Sequence, residues 1–262
     1  MPLLRPGQTI YTTHGRSTMC CFVYQHGRKD VFILMCGHAI EPIKVDVYDD
    51  ENFSVAIAQC IGRVDTMESK DRTGLDCAIA KVLAPEMLKE ANFQIEGERG
   101  KALSGWNLPQ PTMNSHGNVC FSGSSARQMN GKIQIGQITE IKDNIFKVSS
   151  QEGYEKFQCY QGDSGATVYT ASGELLGMHI RSKSHSETIP CEEGVIHAIE
   201  PIFSHFQVQL ATWENKAEWM PDVSDKVDPF NFDFREDEFD ELMNNINNTE
   251  IKAPLTEPEN KD

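Results

Sequence analysis

The amino-acid sequence predicts an all-β protein built from antiparallel strands. Between residues 10 and 208 the chain reads as short apolar or alternating segments separated by glycine and polar turns. Many short strands at such spacing are typical of antiparallel β-barrels or sandwiches. The chain has 262 residues, enough for one large domain or two small ones, and its 39% hydrophobic and 24% charged residues are ordinary for a globular protein.

The predicted strands are runs rich in β-branched, aromatic and other apolar residues. Two polar, glycine-containing segments, 26–30 and 171–174, have the composition of hairpin turns. In chain order the strands are 20–24, 31–35, 44–48, 53–60, 77–82, 132–141, 145–149, 166–170, 175–180 and 195–199.

One segment near the middle of the chain predicts a short helix. In residues 85–91, Pro85 stands in a first helical turn ahead of Met-Leu-Lys-Glu-Ala, and the polar stretch 96–101 comes next. We expect this segment to connect two β halves. The predicted domains are an N-terminal β-barrel of residues 1–95, a C-terminal β-barrel of residues 96–213 and an acidic tail of residues 214–262.

Negative charge is concentrated at the C-terminus. Of the net charge of −15, residues 214–262 contribute fifteen Asp/Glu against five Lys/Arg, a net of −10, and the preceding 213 residues contribute −5. Such a tail repels nucleic acid and anionic membranes, so neither is an expected partner. Residues 236–246 predict a short amphipathic helix. The tail is either a solvated extension or a segment that docks on this chain or recruits a protein partner.

The N-terminus and the cysteines bear on location and on metal binding. The segment after Met1 is too short and too interrupted by proline for a secretory signal, so we expect a cytoplasmic protein, with secretion as the alternative. No apolar run approaches the roughly 18–20 residues of a membrane helix. Because no secretory signal is visible, the eight cysteines are expected as free thiols. No Cys/His cluster has the spacing of a zinc site.

Residues 161–165, Gln-Gly-Asp-Ser-Gly, carry the first sign of chemistry. Serine-based acyl transfer needs an exposed hydroxyl and backbone amides that face the developing oxyanion. Here Ser164 is the candidate nucleophile, and Gly162 and Ser164 are the candidate oxyanion-hole donors. The Gly-x-Ser-x-Gly spacing also occurs where a strand leads into a helix. Because strand 166–170 and a turn at Gly173 follow Ser164, the sequence predicts a hairpin instead.

Two upstream motifs supply a candidate base and acid. His38 follows the apolar strand 31–35, and Asp76 opens strand 77–82. Taken singly, a histidine that closes a strand is more often structural, and an aspartate before a strand is often a turn residue. The nearby alternatives Asp65 and Asp71 lack a following strand.

These three motifs, in the order His, Asp, Ser, resemble those of the chymotrypsin-like serine peptidase family. The resemblance covers roughly residues 8–208 and lies in the motifs rather than in continuous similarity. It implies two antiparallel β-barrels with the active site between them, and a serine endopeptidase that cleaves polypeptides without metal or cofactor. It also implies that His38 is the general base, that Asp76 fixes its tautomer, and that Ser164 forms the acyl-enzyme.

The chain departs from the family at its N-terminus. Secreted digestive members free a hydrophobic N-terminus that pairs with the aspartate beside the nucleophile, and no such activation site is visible here. The role of Asp163 is therefore open. We expect a preformed nucleophile turn in which another group holds this carboxylate.

The resemblance also suggests which residue precedes the cut. Gly177-Met178-His179 is similar to the Gly-x-His strand of viral processing peptidases and glutamate-specific bacterial members, whose histidine lines the pocket for Glu or Gln. Arg181 would add positive potential if it turned inward, and Gln158 replaces the acid that would select Lys or Arg. A small apolar preference is the next alternative, and His179 is otherwise a buried strand residue without substrate contact.

Two alternatives concern redox state and activity. Cys159 and Cys191 flank the nucleophile at distances roughly like those of the family's pocket disulfide, and their pairing would imply an oxidising compartment. The chain could instead be a catalytically silent module that binds extended peptides in the cleft.

Overall fold

The computed structural model describes residues 4–40, 45–65, 74–110, 118–150, 155–182 and 189–220. These ranges are mostly β, with two α-helices, α1 (Ser124–Asn130) and α2 (Ile199–Phe206). The strands are β1 (Thr9–Thr12), β2 (Gly15–Thr18), β3 (Cys21–Tyr24), β4 (Val31–Met35), β5 (Asp46–Tyr48), β6 (Ala56–Asp65), β7 (Asp76–Val82), β8 (Gly105–Trp106), β9 (Val119–Ser122), β10 (Gln134–Lys142), β11 (Ile145–Ser149), β12 (Thr167–Thr170), β13 (Glu174–Ser182), β14 (Glu193–Ala198) and β15 (Gln209–Leu210).

The first sheet has eight strands in the order β15-β3-β4-β7-β6-β5-β1-β2. β4 is buried along its whole length and is followed by the 3₁₀ turn Gly37–Ala39. β4 and β7 are antiparallel neighbours, with Met35 opposite Ala78. The end of β4 therefore lies beside the beginning of β7, which brings the segment after β4 close to Asp76.

The second sheet closes into a barrel. Its order is β12-β9-β10-β11-β14-β13-β8, and β12 also pairs with β13, so six antiparallel strands form a closed ring. β8 pairs in parallel with β13 and lies at the outer edge of the sheet. β12 and β13 form the predicted hairpin, with Gly173 in its turn at a φ of +92°. A mostly β chain with a closed barrel and a second sheet confirms the all-β fold class.

Helix α2 packs its apolar face into a core shared by both sheets. Its buried residues Ile199, Ile202, Phe203 and Phe206 recur at the spacing of one helix face. They belong to one cluster of buried side chains that includes Val23 of β3 as well as residues of β13. This cluster joins the C-terminal end of the barrel to the first sheet. β15 follows the helix and pairs with β3.

The helix predicted near the middle of the chain is absent from residues 85–91. The helix expected at 85–91 is instead two 3₁₀ turns, Pro85–Met87 and Glu90–Phe93, because Leu88 and Lys89 between them have extended backbones. The predicted tail helix at 236–246 lies outside the described residues. Among the described helices, none is long and apolar enough to cross a membrane.

None of the eight cysteines, all of them in the described residues, forms a disulfide. Cys159 and Cys191 form an antiparallel bridge through two reciprocal backbone hydrogen bonds, at 3.0 and 2.8 Å, without a disulfide. The division into residues 1–95, 96–213 and 214–262 stays a prediction.

Candidate active site

His38 and Asp76 form a tight pair where β4 and β7 meet. The Nδ1 atom of His38 lies 2.5 Å from Oδ2 of Asp76, and the backbone amide of His38 donates to Oδ1 at 2.8 Å. The Asp76 side chain is 5% exposed, whereas that of His38 is 43% exposed. Because the carboxylate can only accept from the ring, Nδ1 carries the proton and Nε2 presents a lone pair.

Ser164 lies on the other side of this histidine. Its Oγ is 3.0 Å from Nε2 of His38, within the reach that a general base needs. Oγ also lies 3.4 Å from the carbonyl oxygen of Ile180 in β13. His38 and Asp76 come from the first sheet and Ser164 from the barrel, so the three motifs meet between the two sheets.

The loop that carries Ser164 is fixed to both sheets by its backbone. The Ser164 carbonyl accepts hydrogen bonds from the amide of Thr18 and from the hydroxyl of Ser17, each at 2.7 Å. The amide of Gly165 donates to the His179 carbonyl at 2.7 Å. Gly165 has a φ of +90°, and a Cβ there would stand 1.9 Å from the Thr18 carbonyl oxygen. Only glycine fits this position.

Two amides of this loop are available to a ligand. Asp163, Gly165 and Ala166 donate their amide hydrogens within the protein. The amides of Gly162 and Ser164 donate to no group of the described part of the chain. They are the two amides that the sequence analysis names as candidate oxyanion-hole donors. Gly162 has a φ of +94°, a left-handed backbone that glycine adopts without strain.

Asp163 is buried and held by three backbone amides. Oδ1 accepts from Ser125 at 2.7 Å and from Ala126 at 3.0 Å, and Oδ2 accepts from Tyr160 at 2.8 Å. Burial raises the pKa of Asp163 to about 6, while the amide hydrogen bonds and the charge of Arg127 oppose the rise. At neutral pH the carboxylate is therefore ionised. Gly123 permits the contact, since a Cβ there would be 2.5 Å from Oδ1.

His179 lies in β13 directly beneath the nucleophile loop. It is 1% exposed, and its ring packs edge-on against Phe121 at 5.2 Å. Nδ1 lies 3.0 Å from the Asp163 carbonyl oxygen, which can only accept, so Nδ1 carries the proton. Nε2 forms no hydrogen bond of good geometry to a described residue, although the Arg181 backbone is near enough to act on the ring. Burial lowers the pKa of His179 to about 4.

The other two predicted pocket residues are more open. The oxygen of Gln158 accepts a hydrogen bond from the Tyr160 hydroxyl at 3.2 Å. Arg181, two positions after His179 in β13, has an exposed side chain. The structure brings together His38, Asp76 and Ser164. Ser164 also contacts β13, the strand that carries His179, through the Ile180 carbonyl.

Two residues near the triad were missed at the level of the sequence. His197 in β14 is fully buried, and its Nε2 accepts a hydrogen bond from the Asp76 amide at 3.2 Å. Arg16 in β2 lies beside the nucleophile loop, since a Cβ on Gly162 would be 2.9 Å from its Nε. His197 falls in predicted strand 195–199, but pattern alone does not tell what a strand residue faces. Arg16 carries no motif.

One group of three potential metal ligands was found in the described part of the chain. The ligand atoms of Cys36, His38 and Asp76 lie within 4.8 Å of one another. His38 and Asp76 are already hydrogen-bonded, and the Cys36 thiol bonds to the His179 carbonyl at 3.2 Å. Burial and the nearby Asp76 carboxylate raise the pKa of the Cys36 thiol well above its ordinary value, which disfavours the thiolate that metals bind. This group is better suited to moving protons than to holding an ion.

Comparison with solved structures gives several likenesses at low sequence identity. The chain is similar to a glutamic acid-specific serine protease that uses a histidine triad in substrate binding (TM-score 0.56, 16% identity, 79% of this chain and 100% of that one). It is also similar to Cellulomonas bogoriensis chymotrypsin (TM-score 0.53, 14% identity, 80% and 98%) and to an alpha-lytic protease homolog (TM-score 0.50, 15% identity, 79% and 99%). No family model and no curated protein matches the sequence.

Proposed function

From its chymotrypsin-like fold, we propose that this protein is a serine endopeptidase with Ser164 as nucleophile. The observation that carries the proposal is the continuous hydrogen-bonded chain from Ser164 Oγ through His38 to the buried Asp76. In the same loop, the amides of Gly162 and Ser164 donate to no described group. A hydroxyl, a base, an orienting carboxylate and oxyanion donors are the four parts that serine acyl transfer requires.

The reaction follows from these positions. Oγ of Ser164 attacks the peptide carbonyl carbon while its proton passes to Nε2 of His38. The carbonyl oxygen becomes an oxyanion and accepts hydrogen bonds from the amides of Gly162 and Ser164. His38 then protonates the leaving amine as the C–N bond breaks, which leaves an ester on Ser164. His38 then takes a proton from a water that attacks the ester carbon. The C–Oγ bond breaks, the carboxylic acid leaves, and His38 returns the proton to Oγ of Ser164.

Asp76 and Arg16 act on this reaction through charge. Asp76 lies 2.5 Å from Nδ1 of His38 and stabilises the imidazolium that forms in both steps. The guanidinium of Arg16 lies beside Gly162 and adds positive potential where the oxyanion develops. Each favours the transition state over the neutral ground state.

The tautomer of His179 supports a preference for glutamine before the cut. With its proton on Nδ1, neutral His179 presents Nε2 as an acceptor, which suits the amide N–H of a glutamine side chain and repels a carboxylate. The low pKa of His179 keeps it neutral at pH 7. A buried nitrogen that makes no good hydrogen bond to a described residue costs about 1–3 kcal/mol, which a substrate amide that reaches it would offset. Glutamate is accepted less well, with the exposed Arg181 as its partner.

A peptide library scored at the residue before the cut tests activity and specificity together. The parent should cleave after glutamine, the Ser164→Ala variant should not cleave, and His179→Ala should erase the preference. His26→Ala, at an exposed turn, is the matched histidine control. A flat or Lys/Arg profile contradicts the pocket assignment, and no Ser164-dependent cleavage at all favours the silent peptide-binding module.

A further inference from the structure

A second concave site lies between the end strands of the two sheets. This groove has a volume of about 710 Å³ and is lined by β8, β15, the exposed side of α2 and the turn at residues 212–218. None of His38, Asp76 and Ser164 lines it. It is therefore separate from the catalytic chemistry.

The floor of the groove is apolar. Phe203, Val208 and Leu210 line it while being only 5%, 5% and 4% exposed. Trp106 of β8 forms one wall, is 43% exposed, and packs edge-on against Phe203 at 6.0 Å. An apolar floor beside an exposed indole face can receive aliphatic side chains and stack a cationic one.

The rim of the groove is acidic. Glu200, Glu214 and Glu218 line it, and none forms an ion pair with a described lysine or arginine. Glu200 accepts a hydrogen bond from Ser204, and Glu218 accepts one from the Tyr24 hydroxyl. No lysine, arginine or histidine is among the described residues that line the groove. The three carboxylates can therefore bind cationic side chains without breaking an ion pair to a described lysine or arginine.

The groove also lies beside two end strands. β15 is the end strand of the first sheet, and β8 is the end strand of the barrel sheet. In β15 the Leu210 carbonyl already accepts from the Asn215 side chain at 3.0 Å, so β8 is the edge with which an extended peptide would pair. Alternate side chains of such a peptide would point toward the floor and toward the rim.

We propose that this groove docks an extended segment of a protein partner in which lysine or arginine alternates with aliphatic residues. Cationic residues would face the three glutamates, and aliphatic residues would cover the floor between Trp106 and Leu210. The chain's own residues 221–262 do not suit this site, because they hold thirteen Asp/Glu against four Lys/Arg, a net of −9, and the rim is of the same sign. The proposal does not depend on peptidase activity.

A labelled peptide measures the docking directly. The full-length Ser164→Ala protein, which cannot turn the peptide over, is titrated with a fluorescein-labelled, N-acetylated Leu-Arg-Leu-Arg-Leu-Arg amide, and anisotropy gives the Kd. Because each exposed ion pair is worth a modest amount, Glu200→Gln/Glu214→Gln should weaken binding about three- to tenfold. Trp106→Ala should weaken it by a similar factor, and raising the salt concentration should weaken it further.

A charge-matched control separates docking from general attraction to an acidic protein. Glu51→Gln/Glu86→Gln removes the same charge at exposed positions outside the groove and should change Kd less than twofold. Equal weakening by the two double variants overturns the proposal. Equal binding of a Leu-Ser repeat peptide does so too. Tighter binding of an acidic peptide of residues 222–234 would assign the groove to the tail and overturn it as well.

Discussion

The carboxylate of Asp163 accepts a hydrogen bond from the backbone amide of Ser125 at 2.7 Å. With the amides of Ala126 and Tyr160, this contact holds the residue that precedes the nucleophile. In the family that the sequence resembles, the secreted digestive members use a freed N-terminus for this task. In this chain the beginning of α1 and the loop itself hold the carboxylate.

Replacing Asp163 by asparagine should distort the nucleophile loop. The asparagine side chain keeps one acceptor oxygen. Its NH₂ group, however, faces a backbone N–H that donates to the carboxylate in the parent protein. We expect kcat to fall about 10- to 100-fold and the free energy of unfolding to fall by about 1–3 kcal/mol. Peptide kinetics and urea denaturation measure the two effects. Asp143→Asn, in an exposed turn, should change neither, and an unaltered kcat in Asp163→Asn would count against this anchor.

Substituting Gly165 should test how tightly the loop is packed on the first sheet. An alanine Cβ would meet the Thr18 carbonyl oxygen at 1.9 Å and would also need a φ of +90°. Gly100→Ala is a matched control, because Gly100 has a φ of +72° but nothing within 4 Å of its Cβ position. The control should lose about 1–2 kcal/mol from the backbone alone. Gly165→Ala should lose several kcal/mol more by denaturant unfolding, and equal losses would show that the contact is absent.

The meeting of His38, Asp76 and Ser164 was predictable because each of them adjoins a strand of clear pattern. His38 follows the fully apolar β4, Asp76 opens β7, and the hairpin of β12 and β13 follows Ser164. The anchor of Asp163 was not predictable in this way. It joins residues 38 apart in the sequence through backbone amides. Every residue except proline has such an amide, so residue types do not reveal the contact.

Helix α2 was missed although its signal is present in the sequence. Ile199, Ile202, Phe203 and Phe206 recur at helical spacing, and Pro201 stands in the first turn. The predicted strand 195–199, directly before this helix, is also apolar. It therefore conceals the point at which the spacing of apolar residues changes from that of a strand to that of a helix. In the opposite direction, the helix predicted at 85–91 breaks into two 3₁₀ turns, because seven residues between a strand and a polar loop give too few hydrogen bonds to repay helix nucleation.

His197 is expected to position Asp76. It accepts a hydrogen bond from the Asp76 amide, and its removal leaves that donor unpaired and a cavity behind it. His197→Ala should lower kcat at least tenfold with little change in KM, whereas His197→Gln, whose side-chain oxygen can accept the same bond, should recover part of the loss. Steady-state kinetics on one peptide measures both. Identical kcat values for the two variants would contradict a role through this hydrogen bond.

Buried His179 should make stability depend on pH. Its pKa is about 4 in the folded protein against an ordinary value of 6.5, so the unfolded chain binds a proton in that window and the folded chain does not. Stability from this residue is therefore lost as pH falls from 6.5 to 4, by about 3 kcal/mol in total.

The measurement is the difference in unfolding free energy between the parent and His179→Gln across this pH range. Asp163, whose raised pKa gives the opposite slope, is present in both proteins and cancels to first order. The parent should lose more stability than the variant on acidification. Parallel pH curves would mean that His179 is protonated equally in the folded and unfolded states.

The most direct test of the central claim is labelling of the folded protein with a fluorophosphonate, followed by intact mass and peptide mapping. One adduct per chain is expected, on Ser164. It should be absent in Ser164→Ala, slowed on the order of 10³-fold or more in His38→Ala, and unchanged in Ser172→Ala, an exposed serine in the β12–β13 turn. A folded parent that forms no adduct, or forms it on another serine, would contradict the assignment of Ser164 as an activated nucleophile.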